Sequence, residues 1–283
     1  MAAGIVSKTA ETDTNVKRLT LSDSIKGGSG LPPRIVIYGR PAVGKTSLAA
    51  FSDHPFFLMS PGETGLHTLI DSGQLPSTIP NLEVDHWESY MSLLEELTVK
   101  PHSGKTLVVD TISGIEALAN AYHCKTSYNG DWSVHGYMDY HSGYRSLSAG
   151  VWKESLVALD RLRSAKKMMI VLLAHTGDVK VPNTLGADYR KCAPAFASRW
   201  AWDATFAWAD MVLFADFAVE VTTAQGEKGK GHGDARILRA NWNPAFDAKN
   251  RHGISDDIEM GNSGKEAWDN VLQAIAAMSP NNN

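Results

Sequence analysis

IVIYGRPAVGKTSLAA, residues 35–50, is the stretch whose reading decides the fold. The apolar run Ile35 to Tyr38 predicts a buried strand. Gly39 to Thr46 spells G-x-x-x-x-G-K-T, the pattern of a phosphate-binding loop, and a helix-like run follows it as that motif requires. Each position has a chemical reason. Gly39 and Gly44 let the backbone turn its N–H groups inward onto phosphate oxygens. Lys45 places a positive charge on the β- and γ-phosphates, and Thr46 offers a hydroxyl to Mg²⁺. A helix beginning near Lys45 aims its positive end at the same anion. The nucleotide-binding set is therefore Gly39, Arg40, Pro41, Ala42, Val43, Gly44, Lys45, Thr46 and Ser47, with ATP and Mg²⁺ as the expected ligands.

Working outward, composition sets the bounds. The chain has 283 residues, enough for one large α/β domain with short appendages. Hydrophobic residues make up 43% and charged residues 20%, as in ordinary globular proteins. The formal net charge of −4 gives no global basic signal, so any nucleic-acid contact has to come from a local patch. Cys124 and Cys192 form no C-x-x-C pair, which points to neither a disulfide framework nor a zinc site. No apolar run approaches a membrane span and the N-terminus lacks a signal-peptide core, so the cytoplasm is the expected location.

Residues 1–31 read as a flexible arm ending in Gly27-Gly28-Ser29-Gly30, residues 32–278 as the core, and 279–283 as a tail. Val16-Lys17-Arg18-Leu19 in the arm is either disordered or a docking segment for a neighbour. In the core, Phe56–Met59 reads as a second buried strand. The turn after it presents Glu63 at the strand's C-terminal edge, where open parallel sheets bind ligands. Leu82 to Trp87 reads as a third strand, and Ser89–Leu97 as a helix with Leu93, Leu94 and Leu97 on one face. Thr106-Leu107-Val108-Val109-Asp110 is a strand ending in an Asp, which either joins Thr46 at the Mg²⁺ site or caps the next helix.

Residues 122–145, YHCKTSYNGDWSVHGYMDYHSGYR, are dense in Tyr and His and poor in aliphatics. They read as a long surface loop outside the core. It either stacks on single-stranded bases, with Lys125 and Arg145 among its aromatics, or packs on itself. Val151–Lys166 is an amphipathic helix with Leu156, Leu159 and Leu162 inward. Met168–Ala174 is the most apolar strand and delivers His175 to the sheet edge, as a γ-phosphate sensor or as a structural residue. Residues 177–199 read as a second loop carrying Lys180, Arg190, Lys191 and Arg199. Phe217–Thr222 and Ala235–Ala240 read as a hairpin around the turn QGEKGKGHGD. The closing helix spans Gly264 to Met278, with a capping box of Ser263 and Glu266 and an apolar stripe of Trp268, Val271, Leu272 and Ile275.

This order of parts resembles the RecA-like branch of the phosphate-loop NTPases, and more narrowly the phage RecA-core ATPases of the Sak type. The shared features are GRPAVGKT, the E-T-G-L turn after the second strand, VVDT, the LLAHT strand and the AKNR stretch. The resemblance implies an α/β fold with a mostly parallel central sheet flanked by helices and a C-terminal β-hairpin extension. It implies Glu63 as the catalytic carboxylate, Asp110 at the metal, and His175 where the family carries a Gln. Ala248-Lys249-Asn250-Arg251-His252-Gly253 resembles the K-x-R-x-G finger of DnaB-type helicases, which implies that Lys249 and Arg251 serve a neighbour's nucleotide in a ring or filament. The implied activity is a DNA-stimulated ATPase in strand annealing or exchange. Single-stranded DNA is the implied partner, with a single-strand-binding or annealing protein beside it, and the host cytoplasm is the location if the chain is phage-encoded. Lys180, Arg190 and Lys191 are the candidate DNA contacts. A nucleotide-switched scaffold and a DnaB-like helicase motor are the alternatives.

Overall fold

The computed structural model describes residues 28, 30–218, 220–222 and 230–277. Most of the N-terminal arm, the first half of the QGEKGKGHGD turn and the tail lie outside the described residues. By its contacts the chain divides into Met1–Gly30 and Leu31–Asn283, and the elements below all belong to the second unit.

β1 (Arg34–Gly39), β2 (Pro55–Met59), β3 (Asn81–Glu83), β4 (Thr106–Asp110), β5 (Met169–Val181) and β7 (Met211–Phe217) are parallel, in spatial order β7-β1-β5-β4-β2-β3. Their sequences are near-continuous apolar runs because both faces are covered, as parallel sheets require. One face packs Val36, Leu107, Leu172 and Val212 under α3 (Trp87–Val99), α4 (Ile112–Ser127), α6 (Lys153–Lys166) and α7 (Arg199–Trp208). The other packs Ile37, Val108, Leu173 and Leu213 under α1 (Lys45–Ala50), α2 (Gly65–Asp71) and the C-terminal helix α8 (Gly264–Ala277). Beyond β7, β10 (Arg236–Arg239) and β12 (Ile258–Glu259) add antiparallel strands, and β11 (Lys249–Asn250) pairs with the start of β7. β8 (Glu220–Thr222) and β9 (Lys230–His232) form a separate two-stranded ribbon. The result is an α/β fold with a mostly parallel central sheet flanked by helices and small antiparallel strands at its C-terminal side.

Four readings of the sequence need correction. The third strand stops at Glu83, and Trp87 opens α3. The 122–145 segment is not a surface loop throughout. α4 runs on to Ser127, α5 (Ser142–Leu147) follows a short 3₁₀ turn, and Tyr137 is fully buried with its hydroxyl donating to Asn120 Oδ1 at 2.7 Å. Tyr128, Trp132 and Tyr144 pack on the Tyr137 ring with centroids 4.7–5.3 Å away, an aromatic core in place of an aliphatic one. Residues 177–199 are not a loop either. β5 continues past His175 to Val181 and pairs antiparallel with β6 (Tyr189–Pro194), forming an arm beyond the sheet. In α8, Ser263 Oγ accepts the Glu266 N–H as the capping box requires, but the Glu266 carboxylate returns to the Asn262 N–H, and Leu272 is exposed.

Candidate active site

The parallel register aligns one edge of the sheet. Gly39 pairs with His175, Leu173 with Asp110, and Asp110 with Met59, so β1, β4 and β2 end together beside His175 of β5. Gly39 has a further duty. A Cβ there would lie 2.1 Å from the Ala215 carbonyl oxygen of β7, so only glycine lets the two strands meet where the loop departs. Gly44 stands at φ 100°, the left-handed turn that feeds α1. Between them Arg40, Pro41 and Ala42 are exposed and Val43 is anchored in the core.

Lys45 is buried, and its ammonium donates to the Gly39 and Arg40 carbonyls at 3.0 and 2.9 Å, curled inside the loop. Burial lowers its pKa, against the pull of Asp110 and Glu63. Thr46 Oγ1 donates to Asp110 Oδ2 at 2.8 Å. Burial raises the Asp110 carboxyl to about 6 although that hydrogen bond and Lys45 favour the charged form. The Thr46 hydroxyl and Asp110 carboxylate are hard oxygen donors side by side. They fit Mg²⁺, which takes one or two protein oxygens and completes its shell with phosphate and water. Ser47 follows Thr46 in α1, half-buried.

Glu63 enters from the turn after β2, its side chain 25% exposed. Its Oε1 accepts from Thr111 Oγ1 at 3.3 Å and lies 3.1 Å from His175 Nε2. A carboxylate only accepts, so Nε2 is the protonated nitrogen of His175. Ser60 Oγ accepts the Thr111 N–H at 3.1 Å, tying the two strand ends together. Thr111 and Ser60 escaped the sequence reading of the site. Their signal was only a Thr and a Ser following two strands, a pattern that caps helices as often. Thr111 does both, since its Oγ1 also accepts the Gly114 N–H as the cap of α4.

The remaining expected residues lie elsewhere. Lys249 and Arg251 sit at the opposite end of the strands, where β11 pairs with Met211 and Val212. Lys249 Nζ donates to the Phe206 and Ala207 carbonyls, and Arg251 to Asp210 and Ala207, so within one chain they cap the C-terminal end of α7 and do not join the phosphate site. Lys180, Arg190 and Lys191 are on the β5–β6 arm, and each meets a carboxylate: Asp188, Asp178 and Asp247 respectively. A hollow of about 670 Å³ between the arm and α7 has Phe196 and Trp202 in its wall, with Lys180, Lys191 and Arg199 offset by Asp178, Asp203 and Asp247. The segment that leaves the arm is fixed to α4, because the buried Glu116 carboxylate accepts the Ala197 and Ser198 N–H groups at 2.8 and 2.9 Å. Among the described residues no helix is long and apolar enough to cross a membrane.

No match was found among curated proteins. Among solved structures, the crystal structure of the RadB recombinase superposes with a TM-score of 0.41 and 12% identity, covering 83% of this chain and 90% of that one. A family model described as an AAA domain matches residues 31–252. That span holds the whole phosphate loop, Glu63, Asp110 and His175, and the chain belongs to the AAA-domain family of ATP-binding phosphate-loop NTPases.

Proposed function

We propose that the chain is a Mg²⁺-dependent ATPase that works on single-stranded DNA in phage recombination, assembled as a ring or filament. One observation carries the hydrolytic part: Glu63 is held through Oε1 by Thr111 and His175 at the edge where Lys45, Thr46 and Asp110 converge. Fixing one carboxylate oxygen leaves Oε2 to orient the attacking water. Loop N–H groups and Lys45 hold the phosphates, with Lys45 leaving the Gly39 and Arg40 carbonyls to do so. Bound at Thr46 and Asp110, Mg²⁺ supplies neutralisation of the β- and γ-phosphate charge. His175 links the site to the arm, because its carbonyl accepts the Ala195 N–H at the arm's base.

The DNA part is supported by the arm and by exposed aromatics near α5. Tyr140 is 87% exposed and Trp132 about half. Arg145 lies over the Trp200 ring at 5.7 Å. Such rings stack on bases without sequence preference. The arm cations have to exchange carboxylates for phosphates, so the aromatic surface carries more of this reading than they do. In an assembly, Lys249 and Arg251 reach a neighbour's nucleotide only by leaving the carbonyl end of α7.

The test is phosphate release from ATP with and without single-stranded DNA, for wild type and Glu63→Gln. Wild type turns over and DNA accelerates it, while Glu63→Gln binds ATP but loses about 10²–10⁴ in rate. Equal rates for the two proteins reject the role of Glu63. A wild-type rate and DNA-binding anisotropy both indifferent to single-stranded DNA reject the DNA part.

A further inference from the structure

The phosphate loop has a second wall, built by the C-terminal strands. A Cβ on Gly44 would lie 2.8 Å from Nη1 of Arg236 and 3.8 Å from Cε of Met260. A guanidinium is therefore packed on the loop at the glycine that precedes Lys45. Arg236 opens β10 opposite Phe217, the last residue of β7, which puts it at the same sheet edge as the loop. Its Nη2 donates to the Gly261 carbonyl at 2.7 Å, and the Met260 N–H donates to its own carbonyl. The start of α8 closes the same side, since a Cβ on Gly264 would lie 2.4 Å from the Ser47 carbonyl oxygen.

The electrostatics separate Arg236 from its neighbour on the strand. Arg239 faces Asp216 and Asp257, whereas Arg236 forms no ion pair among the described residues. A guanidinium carries five donors in a fixed fork suited to phosphate oxygens. Here it is half-buried, and one carbonyl steadies it at the glycine that precedes Lys45.

We propose that Arg236 is a nucleotide-binding residue acting in cis: held by Gly261 against Gly44, its guanidinium donates to the polyphosphate of the nucleotide seated in the loop of the same chain. This rests on the reading of the loop as an ATP site. It makes residues 236–264 a wall of that site and supplies the arginine that Lys249 and Arg251 do not supply within one chain.

The experiment titrates Mg²⁺ with mant-ATP into wild type, Arg236→Met and Arg236→Lys, and measures melting temperature without nucleotide. Arg236→Met keeps an unbranched apolar stem, and the backbone bond from the Met260 N–H to residue 236 does not depend on the side chain. Loss of a charge-assisted contact lowers affinity about ten- to hundredfold, and Arg236→Lys recovers part of it. Unchanged mant-ATP affinity in Arg236→Met overturns the inference, whether or not the melting temperature falls, because a residue that only braces the fold moves stability alone. Arg236→Lys as weak as Arg236→Met overturns a phosphate contact as well. Failure of wild type to bind mant-ATP removes the ATP reading and this inference together, whereas wild-type binding with intact Arg236→Met binding removes only Arg236.

Discussion

Asp210→Asn is a perturbation whose cost follows from geometry. Asp210 lies between α7 and β7, its side chain 16% exposed. Arg34 reaches it through its backbone N–H and Nε on Oδ2, at 3.0 and 3.1 Å, and through Nη2 on Oδ1 at 2.8 Å. Arg163 stands 3.6 Å from Oδ2 and Arg251 3.2 Å from Oδ1. Burial pushes the carboxyl up, but the Arg34 hydrogen bonds and charge, with Arg163, outweigh it and hold the pKa at about 2. Against an unfolded value of ~3.9 the shift is worth roughly 2.5 kcal/mol, and solvent screening of this partly open cluster trims it to about 1–2. The sign is fixed by the direction. A depressed carboxylate pKa contributes above about pH 4 and the contribution fades as pH falls from there through about 2. Urea unfolding of wild type and Asp210→Asn is to be compared at pH 7, 5, 4 and 3. The variant loses about 2–4 kcal/mol at pH 7, since neighbouring guanidiniums are left without their carboxylate, and the gap narrows at pH 3. A gap below about 0.5 kcal/mol at pH 7 would refute the hub, and so would one unchanged from pH 5 to pH 3. The same assay bears on Arg251, which is 51% exposed: as a member of this cluster, Arg251→Ala costs only about 0.5–1 kcal/mol and leaves ATP affinity intact.

Two other substitutions probe the frame of the site. Gly39→Ala places a methyl 2.1 Å from a backbone oxygen of β7, which no rotamer relieves; melting curves will show about 3 kcal/mol or more of destabilisation, together with weaker mant-ATP binding. Tyr137→Phe removes the bond to the buried Asn120 carbonyl oxygen and leaves the ring packing in place, so urea unfolding will register a loss of about 1–2 kcal/mol without a change in ATP affinity.

The nucleotide edge was legible because its signals are local. A glycine loop, a lysine and a threonine are contiguous, and continuous apolar runs mark strands covered on both faces. Asp110 and His175 could be placed because each directly follows such a run, and Glu63 because it stands in the turn after one. What sequence could not show depends on partners far along the chain. The arm of β5 reads as loop because Gly177, Asp178 and Lys180 break the apolar run; they are strand because Ala193, Cys192 and Arg190 pair with them. Tyr137 reads as surface because few aliphatic residues surround it in sequence, yet rings from positions 128, 132 and 144 close over it. Arg236 carries no motif. Its place beside Gly44 arises only when β10 turns back along β7.

The two ends of the sheet divide the cations by what answers them. At the N-terminal end, Arg34, Arg163 and Arg251 meet Asp210, and Lys249 meets the carbonyls of α7. On the arm, Lys180, Arg190 and Lys191 each meet a carboxylate. At the phosphate loop, the hydrogen bonds of Lys45 Nζ and of the Arg236 guanidinium among the described residues go to backbone carbonyls. A phosphate that displaces a carbonyl trades a neutral acceptor for a charged one and strengthens the bond. A phosphate that displaces a carboxylate exchanges one anion for another and leaves the carboxylate to be solvated. The first exchange is favourable where it stands, and the second needs help from elsewhere, such as stacked aromatic surface or the field of a long polyanion. On this argument the proposed ATP contacts of Lys45 and Arg236 need no partner, whereas engagement of the arm cations or of Arg251 by phosphate is conditional on a partner that also compensates Asp178, Asp188, Asp247 or Asp210.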